Sequence, residues 1–177
     1  MADRKKKHAY LDDFEKDLNG NYQYRGAHYR YVGEQPRGRT MAQLWALCGG
    51  GAALVAAAGF VPGATARAPF WLLLPYMAGL LAAVYAVYLL VRLTAGGDPL
   101  RAYLHEQTVQ KLPSACMLAA VLAAVTAAAQ LVQLALVGQN LPARLGFSLL
   151  QAAAAAAFAW AGKRFKALKY EKQEKTK

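Results

Sequence analysis

Residues 114–137 read SACMLAAVLAAVTAAAQLVQLALV, a run of 24 positions without a formal charge. A helix needs about 20 mostly apolar residues to cross the hydrocarbon core of a bilayer. The run shows no two-residue alternation, which a barrel strand would require. In lipid, each backbone N–H and C=O must find its partner inside the segment or around a closed barrel. A transmembrane helix is the reading that survives.

Working outward, three more stretches qualify, at residues 41–61, 70–91 and 145–162. The last is the shortest, and its alanine run at 152–157 is supported by Phe147, Leu149, Leu150, Phe158 and Trp160. Val61-Pro62-Gly63 closes the first span and Ala68-Pro69 precedes the second. Gly138-Gln139-Asn140-Leu141-Pro142 separates the third from the fourth. Short, turn-rich links of this kind join antiparallel neighbours. The fold class predicted is an all-α membrane protein. It is a four-helix antiparallel bundle over residues 41–162, with an N-terminal segment at 1–40 and a basic tail at 163–177.

Charge orients the bundle. Of the 21 Lys and Arg residues, nine precede the first span, three lie between the second and third, and seven follow the fourth. Only Arg67 and Arg144 fall in the other two links. Basic loops remain cytoplasmic, so both tails are expected inside. The net charge of +11 would also suit nucleic acid. Because the excess flanks apolar spans, attraction to the lipid bilayer and its anionic inner-leaflet lipids explains it better. No secretory signal is read in the polar, basic first 40 residues.

Outside the spans, Tyr10, Leu11, Phe14 and Leu18 fall at helical spacing before Asn19-Gly20. Next, Tyr22 and Tyr24 alternate with Gln23 and Arg25, and Tyr29 and Tyr31 flank Arg30. This predicts a small β-hairpin at 22–31 with tyrosines on one face and arginines on the other. A two-stranded hairpin is marginal alone, so the membrane boundary, the bundle end or a partner would have to hold it. Stacking on single-stranded nucleic acid is the weaker use of this Tyr–Arg pattern. Asp98-Pro99 reads as the cap and first residue of a short interfacial helix carrying Leu100, Tyr103 and Leu104.

Identifiable chemistry is scarce. His105-Glu106 lacks the second histidine of a zinc-protease helix, and Gly49-Gly50-Gly51 lacks the Lys-Ser or Lys-Thr of a phosphate loop. Glu15, Asp17 and Asn19 imitate a calcium loop, but its twelfth position is Gly26 rather than a carboxylate. Cys48 and Cys116 are isolated in apolar segments and read as small buried hydrophobes. Neither a cofactor nor a metal site is expected. With no Asp, Glu, His or Lys inside a span and Arg92 at an edge, proton-coupled transport has no carrier group.

Uncharged polarity remains. Thr126, Gln130 and Gln133 in the third span and Gln151 in the fourth fall in the outer half and could meet. They read as interhelical hydrogen bonds, or alternatively as the lining of a channel or facilitator for a small neutral solute. Gly49, Ala53 and Ala57 form a ridge of small residues suited to close helix packing, within the bundle or against another subunit. The function expected is that of a non-enzymatic accessory or scaffold subunit. Tyr22, Tyr24, Arg25, Tyr29, Arg30 and Tyr31 would face a protein partner, with a homo-oligomer as the other outcome.

Overall fold

In a computed structural model, the structure describes residues 14–16, 22–24, 27–62 and 68–173. These residues are mostly helical, and among them four helices are long and apolar enough to cross a membrane. They are α1 (Arg37–Gly59), α2 (Phe70–Ala95), α4 (Leu112–Val137) and α5 (Leu141–Lys166), with a short α3 (Ala102–Gln107) between α2 and α4. Five short strands complete the order: β1 (Phe14–Lys16), β2 (Tyr22–Tyr24), β3 (His28–Tyr31), β4 (Leu100–Arg101) and β5 (Tyr170–Gln173).

Proline and glycine set the helix limits. Pro36 and Pro69 precede α1 and α2, while Pro113 and Pro142 sit in the first turns of α4 and α5. A first turn tolerates proline because its N–H would lack a helical partner anyway. At the other end of α4, Gly138 takes φ 65° and donates its N–H to Leu134 O at 2.8 Å. That left-handed cap suits a residue without a Cβ.

The long helices form a ring in which each packs on its sequence neighbour and α5 closes on α1. Small residues make the approach close. The inward face of α4 carries Ala115, Cys116, Ala119, Ala120 and Ala123, all buried. Gly51 of α1 meets Phe158 of α5 so tightly that a Cβ there would lie 3.0 Å from the ring. A Cβ on Gly162 of α5 would touch Met117 and Pro113 of α4, so these two helices run in opposite directions. Outward faces are apolar as well, with Leu81, Val84, Leu118, Val121 and Leu149 exposed. A helix apolar on all sides needs lipid or protein around it. These features fit a multi-pass integral membrane protein.

One end of the ring carries a three-stranded antiparallel sheet in the order β4-β3-β5. Tyr29 stands opposite Lys172 on one side and Leu100 on the other, and Tyr31 opposite Tyr170. The sheet therefore joins the segment before α1, the α2–α4 connection and the segment after α5.

Several expectations change here. A small hairpin exists, but it pairs β1 with β2, Phe14 opposite Tyr24 and Lys16 opposite Tyr22. The pairing of Tyr22 and Tyr24 with Tyr29 and Tyr31 does not form. β3 gains two partners on the bundle end instead, where a two-stranded ribbon would have had one. The helix expected around Phe14 is a strand at residues 14–16; Tyr10, Leu11, Leu18 and Arg25 lie outside the described residues. Asp98 does not cap a helix. Leu100–Arg101 pair with β3, the helix begins at Ala102, and the Tyr31 amide donates to Asp98 Oδ1 at 3.5 Å. Leu100 is fully buried rather than presented to lipid.

Candidate functional site

Polar and aromatic groups concentrate at the two ends of the ring, in different ways. At the sheet end, β3 contributes two rings and β5 and α3 one each. Tyr29 of β3 stacks on His105 of α3 with centroids 4.3 Å apart and planes 9° from parallel. Tyr170 of β5 meets His105 edge-on at 5.4 Å and Tyr31 edge-on at 5.6 Å. Offset and edge-on aromatic pairs contribute about 0.5–1.5 kcal/mol each beyond their buried area. Tyr31 Oη shares a hydrogen bond with Thr40 Oγ1 of α1 at 3.1 Å. Arg37, also of α1, donates to Leu93 O of α2 at 3.3 Å. The rings thus tie the sheet to the helix ends.

Burial tunes the titrating groups in this pile. It holds the His105 imidazole below its ordinary value, with Glu106 pulling the other way. It pushes the Tyr170 phenol up to about 12. The charge of Arg37 opposes that rise, while Asp98 and Tyr31 reinforce it. Arg37 also leans toward the hydroxyl and lowers its value a little, but the contact falls short of a well-formed hydrogen bond.

Beside the pile, a cavity of about 320 Å³ opens between β3, the start of α1 and the end of α5. Tyr31, Glu34, Thr40, Gln43, Arg164 and Lys169 line it. A second groove, of about 450 Å³, runs along α5 past Ala156, Ala159 and Trp160 to Lys163 and Arg164. Arg92 is engaged at this end too, donating to Gln107 Oε1 at 3.0 Å and lying 5.9 Å from the Tyr88 ring.

At the far end, the polar residues lie inside the ring. Thr126, Gln130, Ser148 and Gln151 are all buried, whereas Gln133 is half-buried. Thr126 Oγ1 donates to Leu122 O at 2.8 Å and Ser148 Oγ to Arg144 O at 3.0 Å. Both hydroxyls therefore spend their hydrogens on their own helices, leaving lone pairs to accept.

The sequence reading placed Arg144 in a link outside the fourth span. It lies instead in the first turn of α5 and is only 7% exposed. Pro142 held the signal, because proline two residues before an arginine marks a helix start as readily as a loop. The reading of Cys48 and Cys116 as separate core residues also missed a meeting, their Sγ atoms being 3.6 Å apart in the centre of the bundle.

The Gly49, Ala53, Ala57 ridge has a defined place. Ala53 and Ala57 are exposed and Gly49 half-buried, while Cys48, Gly51, Val55 and Ala58 face the core. Packing inside the bundle uses the neighbouring face of α1. Among the described residues, no group of three or more His, Cys, Asp or Glu could hold a metal ion.

No protein-family model matches the chain, and neither a curated protein nor a solved structure matches it.

Proposed function

We propose that this chain is a non-enzymatic accessory or scaffold subunit of a membrane complex, with the sheet end in the cytoplasm. The observation that carries this reading is the sheet itself. Three segments far apart in sequence combine into one platform on the bundle end, and its outer strand β5 exposes Glu171, Lys172 and Gln173. A platform of strands and aromatic rings with exposed polar side chains offers a surface on which a partner segment can dock. The cytoplasmic assignment rests on the Lys and Arg count, since 19 of the 21 lie in the three segments at or beyond this end. Lys163 and Arg164, at the foot of the α5 groove, suit contact with anionic inner-leaflet lipids.

A photocrosslinking residue at position 172 in native membranes tests it. The expected result is one adduct of fixed stoichiometry that is absent when the crosslinker stands at lipid-facing position 81. A chain recovered from gentle detergent only as a free monomer, with no adduct from position 172, would overturn the reading.

The burial of Thr126, Gln130 and Gln151 favours a second reading, a channel or facilitator for a small neutral solute. Unchanged solute flux in proteoliposomes carrying Gln130→Leu with Gln133→Leu would remove it.

A further inference from the structure

Among the described residues, Arg144 is the buried cation of the far end. Its Nε and Nη1 are both buried without a hydrogen-bond partner, and so is Gln151 Nε2. Arg144, Ser148 and Gln151 follow one another at i, i+4 and i+7, so they share one face of α5 over about 10 Å of helix. That face points inward, the three residues being 7%, 6% and 1% exposed. Gln130 Oε1 is a buried acceptor at the same end and can answer the Gln151 amide, but the two Arg144 nitrogens are donors that still require an acceptor.

The chain has no carboxylate to offer. Residues 35–97 and 112–170 contain neither Asp nor Glu, and these segments include all four spans and both links at the far end. The helix adds to the imbalance. The N-terminus of α5 has no acidic residue in its first turn, and the side chain of Asn140 does not cap it. A helix N-terminus carries roughly half a positive charge and attracts anions, so an arginine placed there meets repulsion. A buried guanidinium without a partner is strongly unfavourable in a membrane. Its depth indicates the remedy, because the first turn of a spanning helix lies at the level of lipid phosphates.

We propose that the far end of the bundle binds a phosphate oxyanion on Arg144, with the N-terminus of α5 as a further donor. The group comes from a lipid headgroup of that leaflet or from a soluble phosphate. This site needs no particular sidedness and does not depend on partner docking at the sheet.

The test uses the full chain, delipidated in a neutral maltoside detergent, with its thermal midpoint as the readout. Phosphatidylglycerol, inorganic phosphate and an uncharged glycosyl-diacylglycerol are added separately. Phosphatidylglycerol or inorganic phosphate should raise the midpoint by roughly 5 °C at a hundredfold excess over Kd. A response to the lipid alone identifies a headgroup, and a response to inorganic phosphate identifies a soluble source. The glycolipid should do neither.

Arg144→Gln should abolish the response while leaving the unliganded midpoint at or above that of the parent, because it removes an uncompensated charge. Gln151→Leu, two turns deeper in the bundle, should leave the response intact, as should Lys163→Gln with Arg164→Gln. Three results would overturn the site. They are silence of the parent toward both phosphates, an equal response from Arg144→Gln, and a response lost in the Lys163/Arg164 variant instead. An unliganded Arg144→Gln protein less stable than the parent would also overturn it, since interior contacts would then be holding the guanidinium.

Discussion

The sheet end and the far end of this bundle handle polarity in opposite ways. At the sheet end, polar groups stand on strands and a short helix outside the ring. Aromatic faces share the burial, and Arg37 has a backbone carbonyl to bond. At the far end, polar side chains project from α4 and α5 into the ring, and Arg144 keeps two buried nitrogens unsatisfied. Basic residues outnumber acidic ones at both ends, yet only the sheet end has carboxylates close by, in Asp98 and Glu106. A surplus of cations is harmless where water and acids reach it and costly where neither does. Arg37 Nε, His105 Nδ1 and Tyr170 Oη lack partners at the sheet end as well, but carboxylates stand beside them, whereas the guanidinium of Arg144 has no acid of the chain near it.

The largest expected break is at the sheet end. Tyr170→Ala removes two ring contacts and the residue opposite Tyr31, and should destabilise the sheet by about 2 kcal/mol. Hydrogen exchange should show β3 and β5 amides losing protection while those of α4 and α5 near Gln130 keep theirs. Unchanged protection in β3 would mean that the strands, not the rings, hold the platform.

The next effect is pH dependence, confined to the same end. His105 titrates in the fold below its unfolded value of 6.5, so its neutral form is favoured. The stability it contributes is complete above 6.5 and declines as pH falls through that value toward the lower folded one. Tyr170 works in the other direction, rising from 10.0 to about 12. Its contribution is complete below pH 10 and declines as pH rises toward 12. Protection of β3 and β5, corrected for intrinsic exchange, should therefore peak between pH 7 and 9. A flat profile would remove both groups from the account.

The two arginines sharpen the contrast. Arg37→Gln should cost about 1 kcal/mol by losing its bond to Leu93 O, whereas Arg144→Gln in delipidated protein should cost nothing. Equal losses measured by thermal unfolding would erase the difference between the ends. The smallest effect separates two glutamines of one helix. Gln130→Leu should change stability by about 0.6 to 2 kcal/mol and Gln133→Leu by less, following their burial.

The spans were legible because each carries its signal within its own 20-odd residues. The observed helices start or end a few residues from the expected limits, Arg37 preceding Met41 and Leu141 preceding Leu145. The second of those small shifts moved Arg144 from a link into the bundle. The sheet was not legible, for a physical reason. Its strands have two to four residues each, and their partners lie about 70 to 140 positions apart. No local periodicity can report a pairing of that kind. Tyr29 and Tyr31 were visible as an unusual pair, but nothing near them in sequence points to His105 or Tyr170. The polarity of the glutamines was visible in the sequence but their burial was not, Gln130 and Gln151 being buried and Gln133 half-buried. The meeting of Cys48 with Cys116 depends on how α1 and α4 face one another across the ring.

The ladder between β3 and β5 also sets an order of events during synthesis. Tyr29 leaves the ribosome well before Lys172, its partner in the ladder. At about 5–20 residues per second the wait is roughly 7 to 30 s. During that interval all four spans are made and inserted; β3 has no strand to pair with until β4 emerges about halfway through, and only β4 after that. The platform is therefore a latch that closes after insertion, and a chain halted within α5 would carry its membrane domain with the latch still open.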